Sequence, residues 1–315
     1  MSLRPLLYLS LLLGSAQAFA EATHYPLTIQ SCNRQVIFQQ APKHAVSHDI
    51  NMTQMMLALG LKPQMAGYSG VSGWKSVTPE MHGILDGLPE LAAKYPSVET
   101  LLNANVDFFF AGWDYGMRVG GDLTPQTLQP LGINVYELTE SCAFVMKRPP
   151  ATLEDTYNDL RNLGKIFDVQ DRANALISQM QAQIAGIGKK LPAEKPRVFL
   201  YDSGEDRAMT SGRLGMPQAL IAAAGGRNVL DDVEASWTRV NWENVVERNP
   251  QVIVIVDYGE VTAEQKIQFL RDNKALQSVD AIKHQRFVVI PYVQATPGID
   301  NVLAVATLAK GFHGE

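Results

Sequence analysis

Val98-Glu99-Thr100-Leu101-Leu102-Asn103-Ala104-Asn105-Val106-Asp107-Phe108-Phe109-Phe110 aligns without gaps on Trp242-Glu243-Asn244-Val245-Val246-Glu247-Arg248-Asn249-Pro250-Gln251-Val252-Ile253-Val254. Each copy reads as a short helix opening with glutamate, a polar turn, and a β-rich apolar strand. Short helix-strand units match by chance often enough. These two, however, occupy the same place in each half of the chain, which predicts an architecture built twice.

Outward from the first copy, short apolar strands alternate with helical stretches. A hairpin is expected at Tyr25 to Gln30 and Gln35 to Gln40. Then come the strand Ala45-Val46-Ser47, the helix Asn51 to Leu59, the strand Gln64 to Tyr68, the strand Val106 to Ala111, the helix near Thr124 to Leu131 and the strand Asn134 to Leu138. Around the second copy the pattern restarts: strand Arg197 to Tyr201, helix Met216 to Ala223, strand Val252 to Val256, helix Ala263 to Leu270, strand Phe287 to Ile290 and a last helix from Asp300 to Lys310. Alternation of this kind implies parallel sheets with both faces covered. Between the halves the texture is helical. Ala173, Leu176, Ile177, Met180, Ile184 and Ile187 recur at spacings of three and four, giving one apolar face from about Asp171 to Leu191. Asp168 and Asp171 suit the start of such a helix and Lys189-Lys190 its end. The expected fold class is therefore α/β: two α/β lobes joined by a single long backbone helix, with a ligand cleft between the lobes. The expected segments are an N-terminal lobe at 23–167, an interlobe helix at 168–192 and a C-terminal lobe at 193–315.

The first residues read Met1-Ser2-Leu3-Arg4, an apolar run from Leu6 to Leu13, and small-residue sites through Ala22, which is the form of a secretory signal peptide over residues 1–22. The apolar run is shorter than the roughly 20 residues a membrane span needs. No cysteine follows it to carry a lipid, so no membrane anchor is expected. The remaining chain of about 295 residues is long for one core and suits two lobes. A formal net charge of −5 without a basic block argues against nucleic acid as a partner. The two cysteines, Cys32 and Cys142, are expected to pair in an oxidising compartment, two separate thiols being the alternative. With so few cysteines and six scattered histidines, neither a thiolate zinc site nor direct capture of a free metal is expected.

The order and spacing of these motifs resemble the siderophore, haem and vitamin B12 binding proteins of ABC importers. Ala45-Val46-Ser47, the helix ending Leu57-Ala58-Leu59-Gly60-Leu61 and the strand through Ala66-Gly67-Tyr68 resemble that family's opening βαβ unit. Ser97-Val98-Glu99 through Asp107-Phe108 resembles its helix-plus-strand motif, with Asn105-Val106-Asp107 departing from the usual Pro-Asp; Trp242-Glu243 through Asn249-Pro250 fits more closely. The resemblance covers nearly the whole chain after residue 22. It implies a periplasmic, non-enzymatic, monomeric binding protein without a cofactor, whose partner is an inner-membrane ABC transporter permease. It also implies that Glu99 and Glu243, one per lobe, dock on that permease. The plainer reading is that each is an acid favoured in a first helical turn.

Ligands of α/β sheets bind beyond the carboxyl ends of the strands. Those positions supply His48, Tyr68, Trp74, Trp113, Tyr115 and Arg118 from the first half and Tyr201, Trp237, Arg239 and Tyr258 from the second. Aromatic faces and guanidinium groups suit a bulky, conjugated, often anionic chelate. Within the family implied, a ferric siderophore or related metal chelate is the expected ligand, with cobalamin or haem as the alternative. Each residue also has a plainer role, as packing for the tryptophans and solvated charge for the arginines. His48 alone is more readily polar lining than an iron ligand. An enzyme on the same scaffold is the remote alternative, since Ser203-Gly204-Glu205 and Gly225-Gly226 lack the pattern of a nucleophile elbow or phosphate loop.

Overall fold

The computed structural model describes residues 22–73 and 83–314. The expected leader through residue 21, and Trp74, lie outside the described residues. The hairpin forms as β1 (Leu27–Ser31) antiparallel to β2 (Arg34–Phe38). The first sheet holds β3 (Ala45–His48), β4 (Met65–Ser69), β5 (Glu90–Ala92), β6 (Phe108–Trp113), β7 (Gly116–Met117) and β8 (Asn134–Glu137). Its order is β5-β4-β3-β6-β7, with β8 also on β6, and every pairing is parallel. The second sheet is β11 (Arg227–Asn228), β9 (Arg197–Tyr201), β13 (Val252–Asp257) and β14 (Phe287–Pro291), in that order and again parallel. A separate antiparallel ribbon pairs β10 (Ala208–Ser211) with β12 (Trp237–Val240).

The central strands are apolar without interruption because both of their faces are covered. In β13, Val252, Val254 and Val256 join one core cluster while Ile253 and Ile255 join the other. In β6, Phe108 and Phe110 pack toward the backbone helix, whereas Phe109, Ala111 and Trp113 pack on the opposite face. This two-residue period runs to the end of each strand.

The repeat is present in the backbone. Helices Val98–Asn103 and Trp242–Arg248 each lead into a central strand, β6 or β13, and each has its glutamate in the first turn. Asn105 and Asn249, which are equivalent in the alignment, both adopt the left-handed region, with φ of 52° and 42°. Asparagine is among the few residues that tolerate that conformation, so the same turn is made by the same residue in both halves.

Helix Leu153–Ile166 leads into helix Gln170–Gly188, which starts one residue before the expected span and ends three before it. At about 1.5 Å per residue the 19-residue helix extends about 28 Å. Ala173, Ile177 and Met180 are buried in the first lobe's core and Ile187 packs against the second lobe's. One stiff element therefore carries both lobes, and it resists the φ/ψ changes that hinge strands absorb. Small-angle scattering is accordingly expected to change little on ligand addition. A large compaction would mean that the lobes move on some other element.

Candidate functional site between the lobes

The two parallel sheets turn their carboxyl ends toward each other, and hydrogen bonds cross the seam between them. Asn51 Nδ2 donates to the Pro297 carbonyl at 2.7 Å, and Gln54 Nε2 to Asp300 Oδ2 at 3.2 Å. The Tyr292 hydroxyl donates to Asp49 Oδ2 at 2.8 Å. Further along, Trp237 Nε1 donates to the Tyr115 hydroxyl at 2.6 Å, and the Ser236 hydroxyl donates to Glu140 Oε1. Trp237 is half-buried and packs against the cores of both lobes.

Local backbone geometry aims several of these groups. Asp49 follows β3 at φ 68° and ψ 158°, a region that is costly for any residue but glycine. It is held there by its amide, which donates to the Ser69 carbonyl, and by its carboxylate, which caps the helix Ile50–Ala58 through the Ile50 amide at 2.7 Å. Strain of about 1 to 3 kcal/mol at such a residue persists only where the surroundings fix it. Beside it, His48 is buried between Gly70 and Gly116, both at positive φ; a Cβ at either would come within 2.2 or 2.6 Å of the histidine side chain. Its Nδ1 lies 3.0 Å from Ser69 Oγ, and its ring meets Tyr95 edge-on at 5.0 Å. Fenced in this way, the ring has the geometry of a packed polar residue.

On the second lobe, Asp202 Oδ2 accepts from the Tyr258 hydroxyl at 2.7 Å and from Ser203 at 2.8 Å. The Tyr258 ring lies 5.3 Å from that of Tyr292 and carries Lys266 Nζ 4.5 Å from its centroid. Burial pushes the phenols of Tyr115 and Tyr292 well above their ordinary value, with the nearby carboxylates Glu140 and Asp49 adding to the shift. Burial also raises the Glu140 carboxyl to about 7, against the opposing pull of Ser236 and Arg148. Burial lowers Lys266.

Not every residue expected at the cleft is there. Trp113 is 6% exposed, belongs to the first lobe's core and donates from Nε1 to Glu137 Oε1 at 2.9 Å. β6 runs two residues past the expected end at Ala111, so Trp113 stays in register with Phe109 on the inner face. Tyr201 is likewise interior, packed with Trp242 and Phe269. Tyr68 is half-buried against the small cluster of Ile50, Val71 and Leu85, on which the seam residue Tyr292 also packs, so it borders the seam. Arg118 and Arg239 are exposed. Arg118 lies over the Tyr95 ring at 5.0 Å, in a groove of about 460 Å³ that also includes Glu99. Arg239 lies beside Gly204 at the rim of the second lobe. Tyr115, Trp237 and Tyr258 do come together, and Tyr292, Asp49, Glu140 and Ser236 join them. Glu99 and Glu243 are exposed, one on each lobe. Among the described residues no group of three His, Cys, Asp or Glu side chains is placed to hold a metal ion. Cys32 and Cys142 form a disulfide.

Two parallel sheets opposed across an aromatic and polar seam, on one rigid helix, define a two-lobe solute-binding protein. The chain belongs to the periplasmic binding protein family, whose model matches residues 46–293. It is similar to the vitamin B12-binding protein of Yersinia pestis (strain Pestoides F), with 22% identity over 224 residues, 69% of this chain and 70% of that protein. Among solved structures it is similar to a periplasmic binding protein from Veillonella parvula DSM 2008, with a TM-score of 0.79 and 28% identity, covering 92% of this chain and 98% of that one. It is also similar to an ABC-type Fe3+-hydroxamate transport system from Saccharomonospora viridis DSM 43017, with a TM-score of 0.77 and 21% identity, over 92% and 100%. The family is periplasmic, and both its model and the Veillonella parvula structure are of binding proteins, which sets the enzyme alternative aside. No helix among the described residues is long and apolar enough to cross a membrane.

Proposed function

We propose that this chain is exported to the periplasm, captures a ferric siderophore or related metal chelate between its lobes and delivers it to an inner-membrane ABC transporter. The observation that carries the ligand reading is the meeting of Tyr115 with Trp237, and of Tyr258 with Tyr292, at the opposed strand ends. Such faces pack against a conjugated chelate, while the phenols and carboxylates beside them orient its polar edge. Arg118, over the Tyr95 ring, and Arg239, beside Gly204, supply charge-assisted hydrogen bonds to an anionic ligand. Glu99 and Glu243 give the permease one carboxylate per lobe, where charge complementarity sets register and encounter rate.

Titration calorimetry with a panel of ferric siderophores, haem, cobalamin and free iron tests the ligand. A ferric siderophore is expected to bind with quenching of tryptophan fluorescence that Trp237→Phe abolishes, and Arg118→Ala or Arg239→Ala to weaken binding by about 1.5 to 3 kcal/mol, roughly 13- to 160-fold, the range for hydrogen bonds to charged groups. Tight binding of haem or cobalamin alone would overturn the choice of chelate. Glu99→Ala and Glu243→Ala are expected to leave affinity unchanged and to reduce uptake into vesicles containing the transporter. Unchanged uptake by the double variant would remove the docking assignment.

A further inference from the structure

The polar contacts at the Glu140 end of the seam do more than close it. Glu140 lies in the short helix after β8, is fully buried, and binds the opposite lobe through Ser236. Its other oxygen, Oε2, is buried and makes no hydrogen bond of ordinary length among the described residues, the Tyr115 hydroxyl standing near the carboxyl but too far for one. An ionised carboxylate with one oxygen buried and unbonded is costly, whereas the neutral acid bears much less of that cost. Ser236 immediately precedes Trp237, whose indole is bonded to Tyr115, so one segment of the β10–β12 ribbon makes both contacts. On the proposed function, a ligand that packs on Tyr115 and Trp237 parts them.

We propose that Glu140 is a proton-sensitive latch: separating the ribbon from the first lobe is coupled to loss of a proton from this carboxyl. The groups facing Glu140 are Tyr115 from the turn after β6, Arg148 from the loop after its own helix, Asp155 from the helix Leu153–Ile166, and Ser236 from the ribbon. Arg148 is engaged by Asp155 at 2.6 Å, so its charge is shared. Gly215 also abuts the carboxylate, where a Cβ would come within 3.4 Å of Oε1. Opening admits water to Glu140 and returns its carboxyl toward its ordinary value from about 7 in the closed seam. The acid is raised in the closed form. The closed form is therefore fully favoured below the ordinary carboxylate range and loses weight as pH rises to about 7, by roughly tenfold per pH unit between the two values. Above that it levels off. Ligand capture is then favoured at neutral pH and opposed in acid.

This coupling rests on the seam being the ligand site, but its test needs no ligand, so its failure would leave the binding reading standing. The ligand-free protein, labelled with 5-fluorotryptophan, is titrated from pH 5 to 8.5 by fluorine NMR, with Trp237→Phe assigning the resonance. The Trp237 signal is expected to shift with a midpoint near 7 while that of Trp113 stays still. Glu140→Gln should flatten the Trp237 titration. Ser236→Ala, which keeps the acid but removes a donor to its ionised form, should move the midpoint to higher pH and provides a second test if the first variant does not fold. A Trp237 signal that does not titrate, or one with the same midpoint in the variants that fold, would overturn the proposal.

Discussion

Replacing Cys32 and Cys142 with serine is expected to lower the unfolding free energy by about 4 kcal/mol. The bridge spans a sequence separation of 110 residues, and closing a loop of that size removes about 4.7 kcal/mol of chain entropy from the unfolded state. It ties the turn of the N-terminal hairpin to the helix after β8. Part of the same constraint is made without the disulfide. Ser31 Oγ donates to Glu137 Oε2 at 2.7 Å, and Arg34 Nε pairs with that oxygen at 2.8 Å. These bonds hold the hairpin once folded but do nothing to restrict the unfolded chain. The measured loss should therefore stay close to the entropic value. Urea denaturation of the oxidised protein and the double variant gives the difference directly. A loss below about 1 kcal/mol would show that the bridge does not act by restricting the unfolded chain.

Arg148→Met should cost about 3 kcal/mol, the lower end for breaking a buried ion pair. Arg148 Nη2 lies 2.6 Å from Asp155 Oδ1, and the two side chains are only 8% and 13% exposed. Arg148 also donates to the Thr139 carbonyl, so methionine fills much of its volume but leaves two acceptors without their donor. Burial already pushes the Asp155 carboxyl above its ordinary range despite the arginine. Without the arginine it rises further. A group raised in the folded state favours folding at low pH and loses that advantage as pH rises. The cost of Arg148→Met should accordingly be smaller at pH 5 than at pH 8. Adding Asp155→Asn should recover part of the loss at pH 8, and a double-mutant cycle in which the two losses simply add would deny the coupling.

The sheets were legible because their central strands are unbroken apolar runs and the repeat showed the pattern built twice, while the order of strands within each sheet was not. The backbone helix was legible from its three-and-four spacing. The candidate site was less so. Trp113 and Tyr201 were placed at the cleft because they stand near strand ends, yet each continues a buried face, Trp113 with Phe109 and Tyr201 with Phe199. Both faces of these strands are apolar, so the pattern does not mark where a strand passes from core to cleft. Tyr95 escaped because β5 is three residues long and carries no β-branched run. Ser236 and Glu140 could not be paired from sequence, since a contact spanning 96 residues between a short helix and the start of the ribbon leaves no local periodicity. Asp49 and Tyr292 stand at strand ends, but their bond depends on how the lobes sit, which the helix sets and the sequence pattern does not.

That helix also imposes a rule on any attempt to graft a lobe from a relative onto this chain. It is the one covalent path between the sheets, and its Gln170–Gly188 span fixes the angle between them as well as their distance. With 3.6 residues per turn, a splice out of phase by one residue swings the donated lobe about 100° around the helix axis. Tyr115 and Trp237 would then point past each other. Even a whole extra turn, which restores the angle approximately, lengthens the span by about 5.4 Å and parts every bond in the seam. Chimeras meant to exchange ligand preference must therefore be joined at equivalent helical positions with no net change in length.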